Sequence, residues 1–195
     1  MPKKFSNEER EKLEDRILQE YKLRLEQESN STISVNDLVK IVGIAKGTFY
    51  LIFENKEDLF LRVLLDAFND IEQLIEKVKL KEEDSYRYFT QVIFSFTDFI
   101  KDNMWLINAS GKEFNKSYSQ LSKGGKKLID EKKEELWHCF ISYLKKDLMV
   151  ETSIFIDSVS VILFSNSYSV SLIDFKQTYL FLVESLGKRM IRRGK

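Results

Sequence analysis

Hydrophobic positions recur along this chain at helical spacing, and short polar residues followed three places later by an acid or amide mark where each helix begins. Behind Ser6 and Glu9, the residues Leu13, Ile17, Tyr21 and Leu25 return every four positions, which predicts a first amphipathic helix ending near Glu28. Ser34 with Asp37 opens a short second helix carrying Leu38, Ile41 and Val42, and Gly43 is its stop. Ala45 to Ile52 makes a third, also short. Asn55 with Asp58 then caps a long fourth, with Phe60, Leu64, Ala67, Ile71, Leu74 and Val78 on its apolar face. Beyond the solvated connection Lys81-Glu82-Glu83-Asp84, helices are expected over Ser85 to Lys101, Met104 to about Ala109, and Lys126 to Lys146. Residues 110 to 125, with Gly111, Gly124 and Gly125 among Ser, Asn and Lys, read as a flexible loop or a broken helix. The last two helices are the most apolar: Thr152 to Tyr168, and one opened by Asp174 with Gln177 and running through Tyr179, Leu182, Val183 and Leu186 to Met190. Val159-Ser160-Val161 also suits a strand by its alternation, but it has no partner strand elsewhere and is read as helix.

Composition agrees with an all-α protein. One Pro and seven Gly in 195 residues are too few for the turns of a sandwich or barrel, and 43% hydrophobic residues suffice for a sizeable core. A single Cys139 cannot close an intramolecular disulfide, and the opening Met1 to Arg10 has no apolar stretch resembling a signal peptide, so a cytoplasmic protein is expected. The greasiest segment, Ile154 to Phe164, is interrupted by Asp157, Ser158 and Ser160, which excludes a bilayer span. With 31 basic against 31 acidic residues the net charge is zero. That argues against a uniformly positive surface but leaves room for a local basic patch.

Two short helices joined at Gly43-Ile44, with a longer helix on each side, have the size and spacing of a helix-turn-helix. At about 100° per residue, Phe49, Ala45 and Ile52 share the packed side of the third helix, while Lys46, Gly47, Tyr50 and Leu51 face outward and Thr48 lies on the flank. A cation, hydroxyls and a glycine on one outward face suit close approach to phosphates and base edges.

Ser34-Val35, Leu38-Val39, the run Gly43-Ile44-Ala45-Lys46-Gly47-Thr48-Phe49-Tyr50, Phe53, and Asn55-Lys56-Glu57-Asp58-Leu59 closely resemble the DNA-binding region of the tetracycline-repressor (TetR) family, over about residues 10 to 65. The resemblance implies an all-α homodimer: an N-terminal three-helix DNA-binding domain, residues 1–54, and a C-terminal helical effector-binding and dimerisation domain, residues 55–195. It also implies roles. Ser34 would cap the second helix and touch phosphate, Lys46, Gly47 and Thr48 would meet the groove, and Tyr50 and Lys56 would bind phosphate. Departures from the pattern are Glu20-Tyr21 in place of two alanines, Ser29 in place of a glycine, Val39 in place of a smaller residue, and Ile52 in place of a His or Tyr that would contact phosphate. Charge is lean, with Lys40, Lys46 and Lys56 against Asp37 and Glu54 between residues 29 and 56, so modest non-specific DNA affinity is expected.

Other chemistry is thin. The run Lys123 to Lys127 lacks the preceding strand and the Gly-Lys-Ser/Thr ending of a phosphate-binding loop, and reads as a solvated loop. His138 and Cys139 are adjacent on a helix and no further His or Cys exists to complete a metal site. No enzyme, metal or cofactor is expected. The C-terminal aromatics exceed what a small helical core needs, and Phe94, Trp105, Phe114, Trp137, Phe140 and Phe164 are candidates to line an apolar or aromatic effector's pocket, core and dimer seam being the alternatives. The segment Thr152 to Tyr168, apolar on nearly every side, is expected to pair with the last helix in a two-fold four-helix seam. These readings lead to a dimeric transcriptional regulator, a repressor, that binds a near-palindromic double-stranded operator and is released by a small molecule, with no membrane role. Two alternatives stand beside it: an effector-independent DNA-binding protein, and a dimeric interaction module that has lost operator binding.

Overall fold

The computed structural model describes residues 6–26, 33–106, 112–165 and 175–192. Nine α-helices and one 3-10 turn account for most of these residues: α1 (Asn7–Glu26), α2 (Val35–Val42), α3 (Lys46–Tyr50), α4 (Lys56–Lys79), α5 (Ser85–Asp102), the turn Met104–Leu106, α6 (Lys112–Gln120), α7 (Lys123–Leu144), α8 (Thr152–Ser165) and α9 (Phe175–Met190). The capping signals act as their chemistry requires. Ser6 N–H donates to Glu9 Oε2 at 2.9 Å while Glu9 N–H donates to Ser6 Oγ at 3.1 Å, satisfying two of the N-terminal amides that a helix leaves without carbonyl partners. Asn55 Oδ1 accepts from Asp58 N–H at 2.8 Å at the head of α4, and Asp84 Oδ1 from Arg87 N–H at 2.8 Å at the head of α5. No helix of the described residues is long and apolar enough to cross a membrane.

Of the two readings of residues 110 to 125, the broken helix is the one found among the described residues. Residues 112–120 form α6, and the basic run expected to be a solvated loop is the first turn of α7, which starts at Lys123 and not at Lys126. Ser122 Oγ accepts from Gly125 N–H at 3.0 Å, so a serine cap starts the helix, and two glycines are tolerated where the backbone amides still lack helical partners. The third helix is shorter than its pattern, Leu51 and Ile52 forming a turn beyond Tyr50. Gln27 and Glu28, the stretch from Ile107 to Ala109, Asn166 to Tyr168 and the Asp174 cap lie outside the described residues.

The chain divides into two compact units. One comprises Met1–Asp66 and Met104–Ile129, and its fully buried side chains include Ile17, Tyr21, Leu38, Phe49, Leu59, Phe60 and Trp105. Within it Tyr21 Oη and Ser117 Oγ lie 3.2 Å apart, joining α1 to α6, and Phe114 meets Phe60 edge to face at 5.3 Å between centroids. The other comprises Ala67–Asn103 and Asp130–Lys195 and is centred on Tyr88, Phe89, Phe140, Leu144, Phe155, Val159 and Val183. Here α5 and α8 pack on α9. Thr97 Oγ1 lies 2.8 Å from Tyr179 Oη, Ser85 Oγ donates to Asp147 Oδ2 at 2.6 Å, and Met149 N–H donates to Met190 O at 2.8 Å, so the segment between α7 and α8 is tied to the end of α9.

Gly187 shows how close that packing is. A Cβ there would stand 2.9 Å from Tyr86 Cε2 and 3.1 Å from Phe89 Cδ1, both on α5. Gly187→Ala therefore forces the rings aside and is expected to lower stability by about 1–3 kcal/mol in urea unfolding. The same change at Gly124, whose nearest neighbour to a Cβ is 3.8 Å away, is expected to be neutral or stabilising.

Cys139 on α7 donates to Glu76 Oε1 of α4 at 3.2 Å, and burial, with this carboxylate beside it, pushes the thiol up from 9.0 to about 11. The unfolded chain loses this proton first. Native stability therefore carries a contribution that declines as pH climbs from 9.0 toward about 11. Iodoacetamide should accordingly alkylate the native thiol more slowly than the urea-unfolded chain at mildly alkaline pH, with a native rate that keeps rising toward about 11. Equal rates would show that the thiol is not held in its protonated form.

Candidate nucleic-acid interface

The interface is built on α2 and α3. Ser34 is the N-cap of α2 in a complete capping box: its Oγ accepts from Asp37 N–H at 3.2 Å and its own N–H donates to Asp37 Oδ2 at 3.4 Å. The Ser34 hydroxyl also donates to that carboxylate, and these bonds hold the Asp37 carboxyl below its ordinary range. The cap forms as expected, but the hydroxyl reaches a phosphate only by letting go of Asp37. At the other end Gly43 adopts φ 74° and ψ 39°, a left-handed conformation suited to glycine, and turns the chain into α3.

Phe49 fixes the recognition helix. It is fully buried, its ring 5.6 Å from Phe53, and Tyr50 stands edge-on to it at 5.3 Å and 89°. Lys46 and Gly47 are exposed, Thr48 is half-buried on the flank, and Tyr50 is 48% exposed, so these expected contacts do lie together on one outward side. Ala45, expected with Phe49 on the packed side, is exposed because it precedes the helix as its N-cap. Lys56 is the first residue of α4 and half-buried. Leu51 and Ile41 add two large exposed apolar groups at 63% and 45%.

Two arginines of α1 escaped the sequence reading. Arg10 Nη2 donates to Leu51 O at 3.2 Å, and Arg16 Nη2 to Val42 O at 2.8 Å, so each grips a carbonyl at the C-terminal end of one helix of the motif. A cation is favoured there, where the last carbonyls lack helical partners and carry the dipole's negative end. Among the described residues none of Arg10, Arg16, Lys40 and Lys46 takes part in an ion pair, while Lys12, Arg24, Arg62, Lys79, Lys101, Lys132, Lys133 and Lys188 all do. Arg10, Arg16, Lys40 and Lys46 thus stand at the motif without ion-pair partners among the described residues, on a protein of zero net charge.

The six aromatic candidates are not gathered at one place. Trp105, buried, and Phe114, half-buried, belong to the unit that contains the motif. Phe94, Trp137 and Phe140 belong to the other, where Trp137 packs on Phe140 at 6.3 Å and Phe140 on Phe155 at 5.6 Å. The side chain of Phe164 lies outside the described residues. A cleft of about 520 Å³ between α4 and α5 is lined by Asp70, Gln73, Lys77, Glu82, Gln91 and Ser95, and by none of these aromatics. No group of three or more His, Cys, Asp or Glu among the described residues could hold a metal ion.

A short recognition helix on a glycine turn, buttressed by longer helices and flanked by unpaired cations, defines a helix-turn-helix DNA-binding protein. Residues 26–63 match the family described as bacterial regulatory proteins, tetR family. The fold is shared with a TetR-family regulator from Marinobacter aquaeolei VT8 (TM-score 0.70, 10% identity, covering 96% of this chain and 100% of that one). It is shared too with the transcriptional regulator FadR from Bacillus subtilis in complex with stearoyl-CoA (TM-score 0.68, 16% identity, 88% and 96% covered) and with PfmR from Thermus thermophilus (0.66, 15%, 89% and 96%). No curated protein sequence matches the chain. The motif region thus matches the tetR family over residues 26–63, and the fold is that of TetR-family regulators.

Gly47 offers a direct test of the interface. A glycine inside a five-residue helix costs up to about 1 kcal/mol relative to alanine, yet a Cβ at this position would meet nothing within 4 Å. The protein's own packing therefore does not require it. Gly47→Ala is expected to raise the melting temperature slightly and to weaken operator binding at least tenfold in a titration of labelled duplex. Unchanged affinity would mean that nothing approaches the backbone there.

Proposed function

We propose that the chain is a dimeric, effector-responsive repressor, in which residues 1–54 bind a near-palindromic operator and residues 55–195 bind the effector and dimerise. The observation that carries this reading is the outward side of α3, with Lys46, Gly47 and Tyr50 accessible among cations in no ion pair. In a dimer the two recognition helices enter successive major grooves about 34–36 Å apart, or somewhat more. Thr48 presents a methyl and a hydroxyl to base edges, Tyr50 and Lys56 hold phosphate, and Ser34 orders α2 as its cap. Dimerisation is supported by apolar side chains left uncovered on α8 and α9: Ile154 at 52%, Val161 at 70%, Phe181 at 70% and Leu182 at 40% exposure. A self-complementary patch of this kind closes under two-fold symmetry as a four-helix seam.

An apolar effector is supported by the aromatic cluster around Phe140 and by the stearoyl-CoA bound to FadR on the same fold. Helix α4 contributes residues to both units, so a ligand that tilts it changes the spacing of the two motifs. Operator affinity then falls by the ligand's preference for the tilted state, typically about 1–3 kcal/mol. Occupying a promoter blocks access to it, which amounts to repression.

Fluorescence anisotropy against the DNA upstream of the coding sequence and a scrambled duplex, with Lys46→Ala and Tyr50→Phe alongside, checks the reading. Tight, selective, salt-weakened binding that both substitutions impair is expected. Equal weak binding to both duplexes, indifferent to the substitutions, would replace the repressor with a protein-interaction module.

A further inference from the structure

The bond from Arg10 to Leu51 crosses 41 positions of sequence and ends at the C-cap of the recognition helix, next to Tyr50. Holding one carbonyl occupies one N–H of the five that a guanidinium carries. Of the carboxylates close by in sequence, Glu11 pairs with nothing among the described residues, and the structure directs Glu8, Glu9 and Glu14 elsewhere. Glu8 pairs with Lys12 at 2.6 Å, and Glu9 is taken by the Ser6 cap. Glu14, one helical turn beyond Arg10 and its natural partner, faces Arg62 at 4.0 Å. Arg10 itself is exposed and enters no ion pair among the described residues. A planar fork fixed at one edge, charged and otherwise unengaged, suits a bidentate acceptor such as phosphate better than a lysine would.

We infer that Arg10 is a DNA-phosphate contact of this protein, held in register with the recognition helix by its own hydrogen bond to the Leu51 carbonyl. The inference rests on the DNA-binding reading and extends the interface to α1, outside the motif. The tether delivers a cation to the end of α3 where the Tyr50 hydroxyl is exposed, and it makes up part of the charge that Ile52 and the sparse lysines of the motif do not supply. Because the arginine is tied down before DNA arrives, little side-chain freedom remains to be lost on binding. Arg16 grips Val42 O in the same way at the end of α2.

The test is the salt dependence of binding, which counts phosphates neutralised and is blind to a purely structural role. Full-length wild type, Arg10→Gln, Arg10→Lys and Lys46→Ala are titrated against the upstream and scrambled duplexes over a salt series, with thermal melts of each variant. For Arg10→Gln the slope of log K against log salt should become shallower by about 0.9 for each subunit bound, on both duplexes alike, while Arg10→Lys keeps the wild-type slope. An Arg10→Gln protein that is folded and binds with the wild-type slope would overturn the inference, even if its melting temperature or affinity falls, because the arginine would then only brace α3. In that case wild type and Lys46→Ala still differ and the operator reading stands. Wild type that binds neither duplex in a salt-dependent manner would remove both.

Discussion

A helix of five residues cannot hold itself together in water, since nucleation fixes more dihedral angles than so few hydrogen bonds offset. Everything this protein does with DNA depends on α3 being held from outside. Phe49 is the main fastening: it is buried completely, and truncating it to alanine would remove roughly 3–5 kcal/mol, enough to unfix the motif. Gly43 sets the angle at which the chain enters α3, and Ser34 with Asp37 anchors the helix before it. The two arginines of α1 then close the ends of α2 and α3 by their carbonyls. The proposed recognition surface is the side of α3 that none of these fastenings uses.

Charge is arranged by the same logic. A chain with equal numbers of acids and bases has no field to draw it to DNA from a distance, and its affinity must come from where the cations stand. Many of the helices pair their lysines and arginines with carboxylates one turn away, an arrangement worth little in stability but one that neutralises the surface locally. At the motif the carboxylates of Asp37 and Asp58 serve as caps at α2 and α4, and Arg10, Arg16, Lys40 and Lys46 enter no ion pair among the described residues. Net neutrality and a DNA-binding face are compatible because it is the placement of the cations, and not their total, that meets phosphate.

How much of this the sequence revealed follows the range of the interactions involved. Capping boxes at Ser6 and Ser34, the cap at Asn55 and the stripes of α1, α4 and α5 are local, and residues three or four apart suffice to read them. The motif was legible for the same reason, as was the outward side of α3. Residues 112–120 were not, because one of the inward positions of α6 is Ser117, a polar residue buried against Tyr21, and this breaks the apolar stripe that would have announced a helix. Glycines 124 and 125 suggested a loop, although a first helical turn tolerates them. The tethers of Arg10 and Arg16 span 41 and 26 residues and have no local signature at all. Aromatic abundance pointed to a pocket without saying which rings share one, and Trp105 and Phe114 pack in a different unit from Phe94, Trp137 and Phe140.

The central claim is that two copies of this chain read DNA symmetrically through α3, and selection of bound duplexes from a random-sequence pool tests it most directly. Sequencing the retained pool should yield a near-palindromic motif whose half-sites are about one helical turn apart or somewhat more, and selection with Tyr50→Phe should enrich it poorly. A retained pool with no motif, or one with a single unsymmetrical half-site, would contradict the account.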